Sequence, residues 1–194
     1  MTQNNSDKLT RKINILENAD RKDNFPAEDL LKLLPIKRSN NILDLGAGTG
    51  YLALPAAKQI DGIVYALDLD VDILNYLDSK AKEEKLGNIK TVEGSFDNIP
   101  LEDNTIDIAL ASLALHEVNP LSDTLKQINR VLIENGYLLC VEFEQKEASN
   151  SPRVHSSVME QELLNAGFSI KEKIFPSNKV ANEALYIFIA QKQG

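Results

Sequence analysis

The sequence predicts an α/β fold built on one doubly wound, mostly parallel sheet. Three observations carry that expectation. A short apolar run from Asn41 to Leu45 holds Asp44 next to its end, and glycines follow at every second position, Gly46, Gly48 and Gly50. A second apolar run, Ile63 to Leu67, ends at Asp68, 22 residues beyond Gly46. Strand-like and helix-like patterns then alternate along the chain, as they do when helices cover the faces of a parallel sheet.

With 194 residues the chain suits one domain with a sizeable core. Its 43% hydrophobic and 26% charged residues are those of a soluble globular protein. It has no apolar run of about 18 residues or more, so no membrane span is expected. Met1 to Asn5 are polar and show no secretory apolar region, and the single Cys140 suits a reducing cytoplasm. Cys140 lies in the apolar run Tyr137 to Val141 without a basic neighbour, which reads as a buried structural thiol. A net charge of −8 with scattered basic residues argues against a nucleic-acid partner. The expected partner is a small molecule, with no nucleic acid and no membrane. Oligomeric state is not legible.

Taken in order, residues 1–25 are polar with a weak periodicity at Leu9, Ile13 and Ile15. They read as a mobile arm or a short helix, a candidate lid over a domain of residues 26–194. Asn18 to Pro26 reads as a charged, solvated connector. Pro26 opens a helix that Ala27 to Leu34 continues, and Pro35 ends it. The first strand is Asn41 to Leu45, its helix runs from about Gly50 to Gln59, and Asp61-Gly62 turns out of it. After the strand Ile63 to Leu67, Asp70 caps a helix over Val71 to Leu86, which Gly87 stops. Asn88 to Glu93 is a third strand, Gly94 to Asp97 a turn, and Ile106 to Ala111 a fourth strand.

Asn119 caps the next helix with Pro120 in its first turn. Leu121, Leu125, Ile128, Val131 and Leu132 form its apolar stripe, and Asn135-Gly136 ends it before a strand at Tyr137 to Phe143. Glu144 to Ser151 reads as a loop. Ser157 to Glu160 reads as a capping box, with Gly167 as the stop of that helix. Phe168 to Phe175 and Ala184 to Ala190 are close enough for an antiparallel pair. Five strand–helix units thus precede a closing hairpin.

The glycine loop carries the chemistry. A dinucleotide fingerprint spaces its glycines G-x-G-x-x-G and aims a helix N-terminus at a pyrophosphate. Here Gly50 comes one residue early, and Asp44 would repel a phosphate. A carboxylate at that place suits an ammonium. An acid about 20 residues on, at the end of the next strand, can accept from both hydroxyls of a ribose, and Asp68 stands there. With Asp70 serving as the helix cap, Asp68 is expected to be free for the sugar.

The pattern Asp44-x-Gly46-x-Gly48-x-Gly50 resembles the first motif of class I S-adenosylmethionine-dependent methyltransferases. The phrases Glu93 to Pro100, Ser112 to Glu117, and Leu125 to Leu132 through Asn135 to Leu139 follow in family order. Together they are similar to bacterial small-molecule methyltransferases related to the quinone-biosynthesis C-methyltransferases, over about residues 26–194. The resemblance implies a Rossmann-like seven-stranded sheet ordered 3-2-1-4-5-7-6, its last strand antiparallel. It implies S-adenosylmethionine as cofactor and S-adenosylhomocysteine as product. By the same resemblance Asp44, Gly46, Ala47, Gly48 and Gly50 line the methionine end. Asp68 and Leu69 then meet the ribose, Ser95 and Phe96 face adenine, and Ser112 and Leu113 lie beside the methionine moiety. The sequence departs from the family at Ser95, where an acid usually follows the glycine; Asp97 stands two residues off.

His116 is the candidate base, because it follows the fourth strand and an unperturbed histidine titrates near about 6.5. Its other reading is a hydrogen-bonded histidine that orients the loop. His155, beside Arg153, either lines an acceptor pocket or sits in a surface loop. Two other functions compete with methyl transfer. One is a module that binds the cofactor without catalysis, and the other is a nicotinamide-dependent oxidoreductase.

Overall fold

The computed structural model describes residues 2–17, 19–145 and 152–194. Two helices come first, α1 (Thr2–Leu16) and α2 (Ala19–Asn24), and α3 (Ala27–Leu31) follows. The sheet and its helices are β1 (Ile42–Leu45), α4 (Ala53–Ala57), β2 (Val64–Asp68), α5 (Val71–Glu83), β3 (Ile89–Glu93), β4 (Ile106–Ser112), α6 (Leu121–Val131), β5 (Leu132–Phe143), α7 (Ser156–Asn165), β6 (Phe168–Ile174), β7 (Lys179–Val180) and β8 (Glu183–Lys192). The strand order is β3-β2-β1-β4-β5-β8-β6. Strands β1 to β5 are mutually parallel, and β8 is antiparallel to both β5 and β6. The expected order therefore holds, with β8 as the antiparallel strand. The two-residue β7 is an addition that pairs with β8 inside the expected hairpin loop.

Two apolar layers flank the sheet. Leu30, Leu31, Ala53, Ala56 and Leu77 join one core from α3, α4 and α5. Leu125, Ile128, Met159 and Leu163 join the other from α6 and α7. Every residue of β1 is buried, as a central strand covered on both faces requires. The edge strand β3 is mostly exposed and carries Lys90 and Glu93, which discourage pairing with another chain. Cys140 is fully buried and burial pushes its thiol well up, in keeping with a structural role.

Several local expectations are corrected. Helix α4 begins at Ala53, not Gly50, because Gly50 has φ +89° and lies in the turn. Helix α5 ends at Glu83, and the left-handed residue after it is Lys85 at φ 58°, so Gly87 does not stop it. Asp70 does cap α5, accepting from the Asp72 and Ile73 N–H groups at 3.0 and 3.2 Å. Asn119 does not cap α6; Pro120 holds that place after a cis peptide bond. Strand β5 starts at Leu132, where Leu132 pairs with Ile106 and Tyr137 with Ile108 across an irregularity that contains Asn135 at φ 62°.

The cap of α7 is His155, not Ser157; its Nδ1 accepts from the Ser157 N–H at 3.2 Å. Gly167 follows that helix at φ +86°, as expected. The third unit lacks a helix: residues 94–105 form a connection that Arg130 of α6 holds by donating to Ile99 O, Leu101 O and Asp103 Oδ1 at 2.7, 2.9 and 2.6 Å. Of the loop expected at 144–151, residues 146–151 lie outside the described residues.

Residues 19–24 are not a solvated connector; Asn18 lies outside the described residues. Helix α2 docks on the β7–β8 hairpin, where Asp20 Oδ2 accepts from the Ala181 N–H at 2.6 Å and Asn178 Nδ2 donates to Asn24 O at 3.2 Å. The other end of the segment ties to α5. Lys12 pairs with Asp70 at 2.7 Å, and Glu17 pairs with Lys80 at 2.7 Å and with Lys22. Burial alone would raise the Glu17 carboxyl, but hydrogen bonds from Lys22 and Lys80 hold it down at about 2. The described residues among the first 25 thus strap across the C-terminal edge of the sheet.

Gly62 and Gly87 make opposite demands. A Cβ at Gly62 would lie 2.1 Å from Asn40 O, a backbone atom at the entry to β1, whereas one at Gly87 would meet nothing within 4 Å. Urea unfolding should therefore show Gly62→Ala destabilised by about 2 kcal/mol or more. Gly87→Ala should be neutral, or stabilised by up to about 1 kcal/mol through a less flexible unfolded chain.

Candidate active site

The glycine loop leaves β1 at the sheet's C-terminal edge, between β2 and β4. Ligands bind at this edge in open α/β sheets, where the strand order reverses. Gly46 and Gly48 have φ +67° and +53°. Gly46 is also a close approach: a Cβ there would stand 3.0 Å from Ala114 Cβ and 3.3 Å from the Phe96 ring. Gly50 faces elsewhere, toward Leu54 and Leu77, and serves packing.

Two of the pockets beside the loop hold the residues expected at the cofactor. A cleft of about 780 Å³ is lined by Asp68, Leu69, Ser95, Phe96, Asp97 and Leu113, together with Gly46 and Gly48. It brings together the residues expected at the ribose and adenine. A smaller pocket of about 20 Å³, room for about one water, is lined by Asp44, Ala47, Ser112, Arg21, Tyr51 and Leu16. It lies at the expected methionine end. Leu16 of α1 packs over Gly48, 3.5 Å from where a Cβ would be.

Asp44 is 3% exposed, and its Oδ2 has no hydrogen-bond partner. Burial pushes its carboxyl up to about 7; the Arg21 charge and the Ala53 backbone N–H oppose the rise, and Asp68 adds to it. A buried acceptor with nothing to accept from is costly, and a cationic donor in the cavity would satisfy it.

Asp68 is not free, as had been expected. Its Oδ2 accepts from the Gly48 N–H and its Oδ1 from the Asp70 N–H, both at 3.0 Å. A carboxylate accepts about four hydrogen bonds, so capacity for hydroxyl donors remains, and the carboxylate also braces the loop.

The turn after β4 is built on Glu142, which is fully buried. Its Oε1 accepts from the Ala114 and Leu115 N–H groups at 2.9 and 2.7 Å, and its Oε2 meets His116 Nδ1 at 2.7 Å. Leu113 sits in this turn at φ 57°, a strained place for a branched side chain, and its backbone N–H donates to Val141 O. The carboxylate thus holds a turn whose Leu113 and Ala114 form one wall of the cleft. His116 is part of this scaffold and lines neither of the two cavities. His155 and Arg153 are not brought to the cleft either. His155 caps α7, while Arg153 stacks on Phe143 at 4.5 Å and pairs with Glu183 at 3.0 Å.

Sequence reasoning missed Arg21, Leu16, Tyr51 and Glu142. A glutamate inside the otherwise apolar strand run Tyr137 to Phe143 was a signal for Glu142. Arg21 stands in a run of charged residues and carried none.

Comparison with known proteins places this geometry. Residues 43–140, about half of the chain, match the methyltransferase domain family. A demethylmenaquinone methyltransferase of a Geobacillus strain is 33% identical over 120 residues, which are 61% of this chain and 51% of that protein. The match thus spans about half the length of that curated relative. Among solved structures, an S-adenosylmethionine-dependent methyltransferase from Aquifex aeolicus superposes with a TM-score of 0.81 at 24% identity, covering 93% of this chain and 97% of the other. The cyclase SpnF also gives 0.81, at 17% identity, covering 91% of this chain and 85% of its own. At these identities the likeness is one of fold. From the matched domain, the strand order and the glycine loop between β1 and α4, the chain belongs to the class I S-adenosylmethionine-dependent methyltransferase family.

Proposed function

We propose that this protein transfers a methyl group from S-adenosylmethionine to a small-molecule acceptor. The observation that carries the reading is the orphaned Asp44 Oδ2 beside the glycine loop. An anionic group there fits an ammonium and opposes the diphosphate of a nicotinamide dinucleotide. The residues present fit the cofactor. Asp44 and the Gly46–Gly48 backbone would hold its amino-acid end, Asp68 its ribose, and Ser95 and Phe96 its base. The cofactor supplies a methyl group already made electrophilic by a sulfonium.

What remains for the protein is orientation and exclusion of water, and orientation alone can account for about 7–11 kcal/mol of barrier. Leu16 closes the loop from above, and the Glu142-held turn fixes Leu113 opposite it. His116 acts in that scaffold through its Nδ1 contact with Glu142. The likeness to demethylmenaquinone methyltransferase makes a quinone-like or phenolic ring the first acceptor class to test. The equal likeness to a cyclase shows that fold alone does not assign the reaction, so turnover has to be measured.

Calorimetry should find S-adenosylhomocysteine binding and no binding of NAD, and a methyl-labelled cofactor with a panel of phenols and quinols should yield methylated product. Binding of NAD in place of the nucleoside would reverse the assignment. The pH dependence follows from Asp44. With its carboxyl at about 7, the ligand-free protein holds the proton below that pH, and a cationic ligand binds only the ionised form. Affinity should be flat above about pH 7 and fall by up to about tenfold per unit below it. Asp44→Asn should flatten this profile and weaken binding by at least about tenfold at pH 8. It should also raise ligand-free stability at that pH, because no buried carboxylate is then left ionised without a partner.

A second measurement concerns His116. As a scaffold residue, His116→Gln should leave the shape of the kcat/KM pH profile unchanged and act mainly by raising the KM for cofactor. A lost ionisation near neutrality with turnover down by about 10²-fold or more would make it a base instead.

A further inference from the structure

We propose that Lys80 is a positioning residue for the glycine loop, and that it couples the N-terminal strap to that loop. The inference deepens the methyltransferase reading and rests on it. The loop is held unevenly along its length. Its first half is fixed by the end of β2. The Gly46 and Ala47 N–H groups donate to Leu67 O at 2.9 and 3.0 Å, and the Gly48 N–H donates to Asp68 Oδ2 at 3.0 Å. Its last glycine faces Leu54 and Leu77. Thr49, between these supports, borders two pockets. One is the smaller pocket beside Asp44. The other, of about 270 Å³, is lined by Glu17, Lys22, Lys58 and Lys80 as well as Thr49. Backbone that borders open space gains little from packing there, so its place depends on hydrogen bonds.

Lys80 supplies one. Its Nζ reaches from α5 to donate to Thr49 O at 3.4 Å and to Glu17 Oε1 at 2.7 Å. The Tyr76 ring, one turn back on α5, lies 5.6 Å from the ammonium. Glu17 directly follows Leu16, and its Oε2 accepts from Lys22, the residue after Arg21. One ammonium therefore joins three elements. They are α5, the strap that brings Leu16 and Arg21 to the smaller pocket, and the carbonyl next to Gly48. An ammonium carries three donors, so it can serve the carboxylate and the carbonyl together. The Glu17 carboxyl, held at about 2 by its lysines, stays ionised near neutrality. Lys58 offers a control. It lines the same pocket and carries the same charge, but it pairs with Glu84 at 2.6 Å.

Calorimetry on the full chain tests the joint with two probes, S-adenosylhomocysteine and methylthioadenosine. The second keeps the nucleoside and lacks the amino-acid end. Lys80→Met should weaken S-adenosylhomocysteine by about fivefold or more, the effect of a lost charge-assisted hydrogen bond. It should leave methylthioadenosine unchanged, because the loop carries the amino-acid end; that binding also reports an intact fold. Lys80→Arg, which still offers donors to both partners, should restore most of the affinity. Glu17→Gln should weaken S-adenosylhomocysteine too. The double variant of Glu17→Gln with Lys80→Met should lose less than the product of the single losses, as members of one relay do. Lys58→Met should leave both probes as they were.

Unchanged S-adenosylhomocysteine binding in Lys80→Met overturns the inference, and so do single losses that simply multiply in the double variant. Equal weakening of both probes makes the role a general structural one. A loss in Lys58→Met that matches Lys80→Met makes it one of overall charge. Either overturns the positioning role. A wild type that binds neither probe is a different failure: it removes the cofactor assignment, and this inference with it.

Discussion

A buried carboxylate with one oxygen left without a donor dominates the loop end of this molecule. Asp44 is placed by β1, the most enclosed strand of the sheet, and cannot turn toward solvent. Burial there disfavours its charge, so the ligand-free protein carries an uncompensated polar atom next to a loop of bare backbone. In the proposed reading a cationic ligand group recovers that deficiency, and affinity for it is built into the cost of the ligand-free state.

The surrounding elements hold that site in shape through buried acids doing different work. Asp68 spends part of its hydrogen-bonding capacity on the Gly48 and Asp70 N–H groups, which couples the end of β2 to the loop after β1. Glu142 gathers two backbone donors and the His116 ring, and so keeps Leu113 in a left-handed conformation that an aliphatic side chain resists. The cleft is therefore bounded by two turns, each braced by a carboxylate from a neighbouring strand. Precise placement of this kind is what a reaction that relies on orientation requires.

The N-terminal helices complete the enclosure. They are anchored to α5 through Lys12 and Glu17 and to the β7–β8 hairpin through Asp20 and Asn24. These contacts lie largely at the surface, where ion pairs contribute little stability each. The segment presents Leu16 and Arg21 beside the loop through contacts that are each weak.

Much of the architecture was legible because its causes are local. Alternating apolar runs, the glycines at 46 and 48, and the cap at Asp70 follow from backbone geometry and side-chain periodicity within a few residues. The misjudged ends have local causes as well. Gly50 could not begin a helix at its own positive φ, and Lys85 took a conformation usually left to glycine. The cap at His155 was misread for another reason: an imidazole that accepts from a backbone N–H leaves no distinctive pattern in sequence.

By itself the sequence determined the kind of sheet, the place of the glycine loop and the acid near the end of the strand before it, since neighbouring residues dictate each of these. Only the tertiary structure decided that Asp68 braces the loop, that Glu142 organises the turn after β4, and that Arg21 lies against Ser112, 91 residues away. Those partnerships depend on which strands and helices become neighbours in space. A charged side chain in a polar run has the same local signature whether it ends in water or beside a buried cavity.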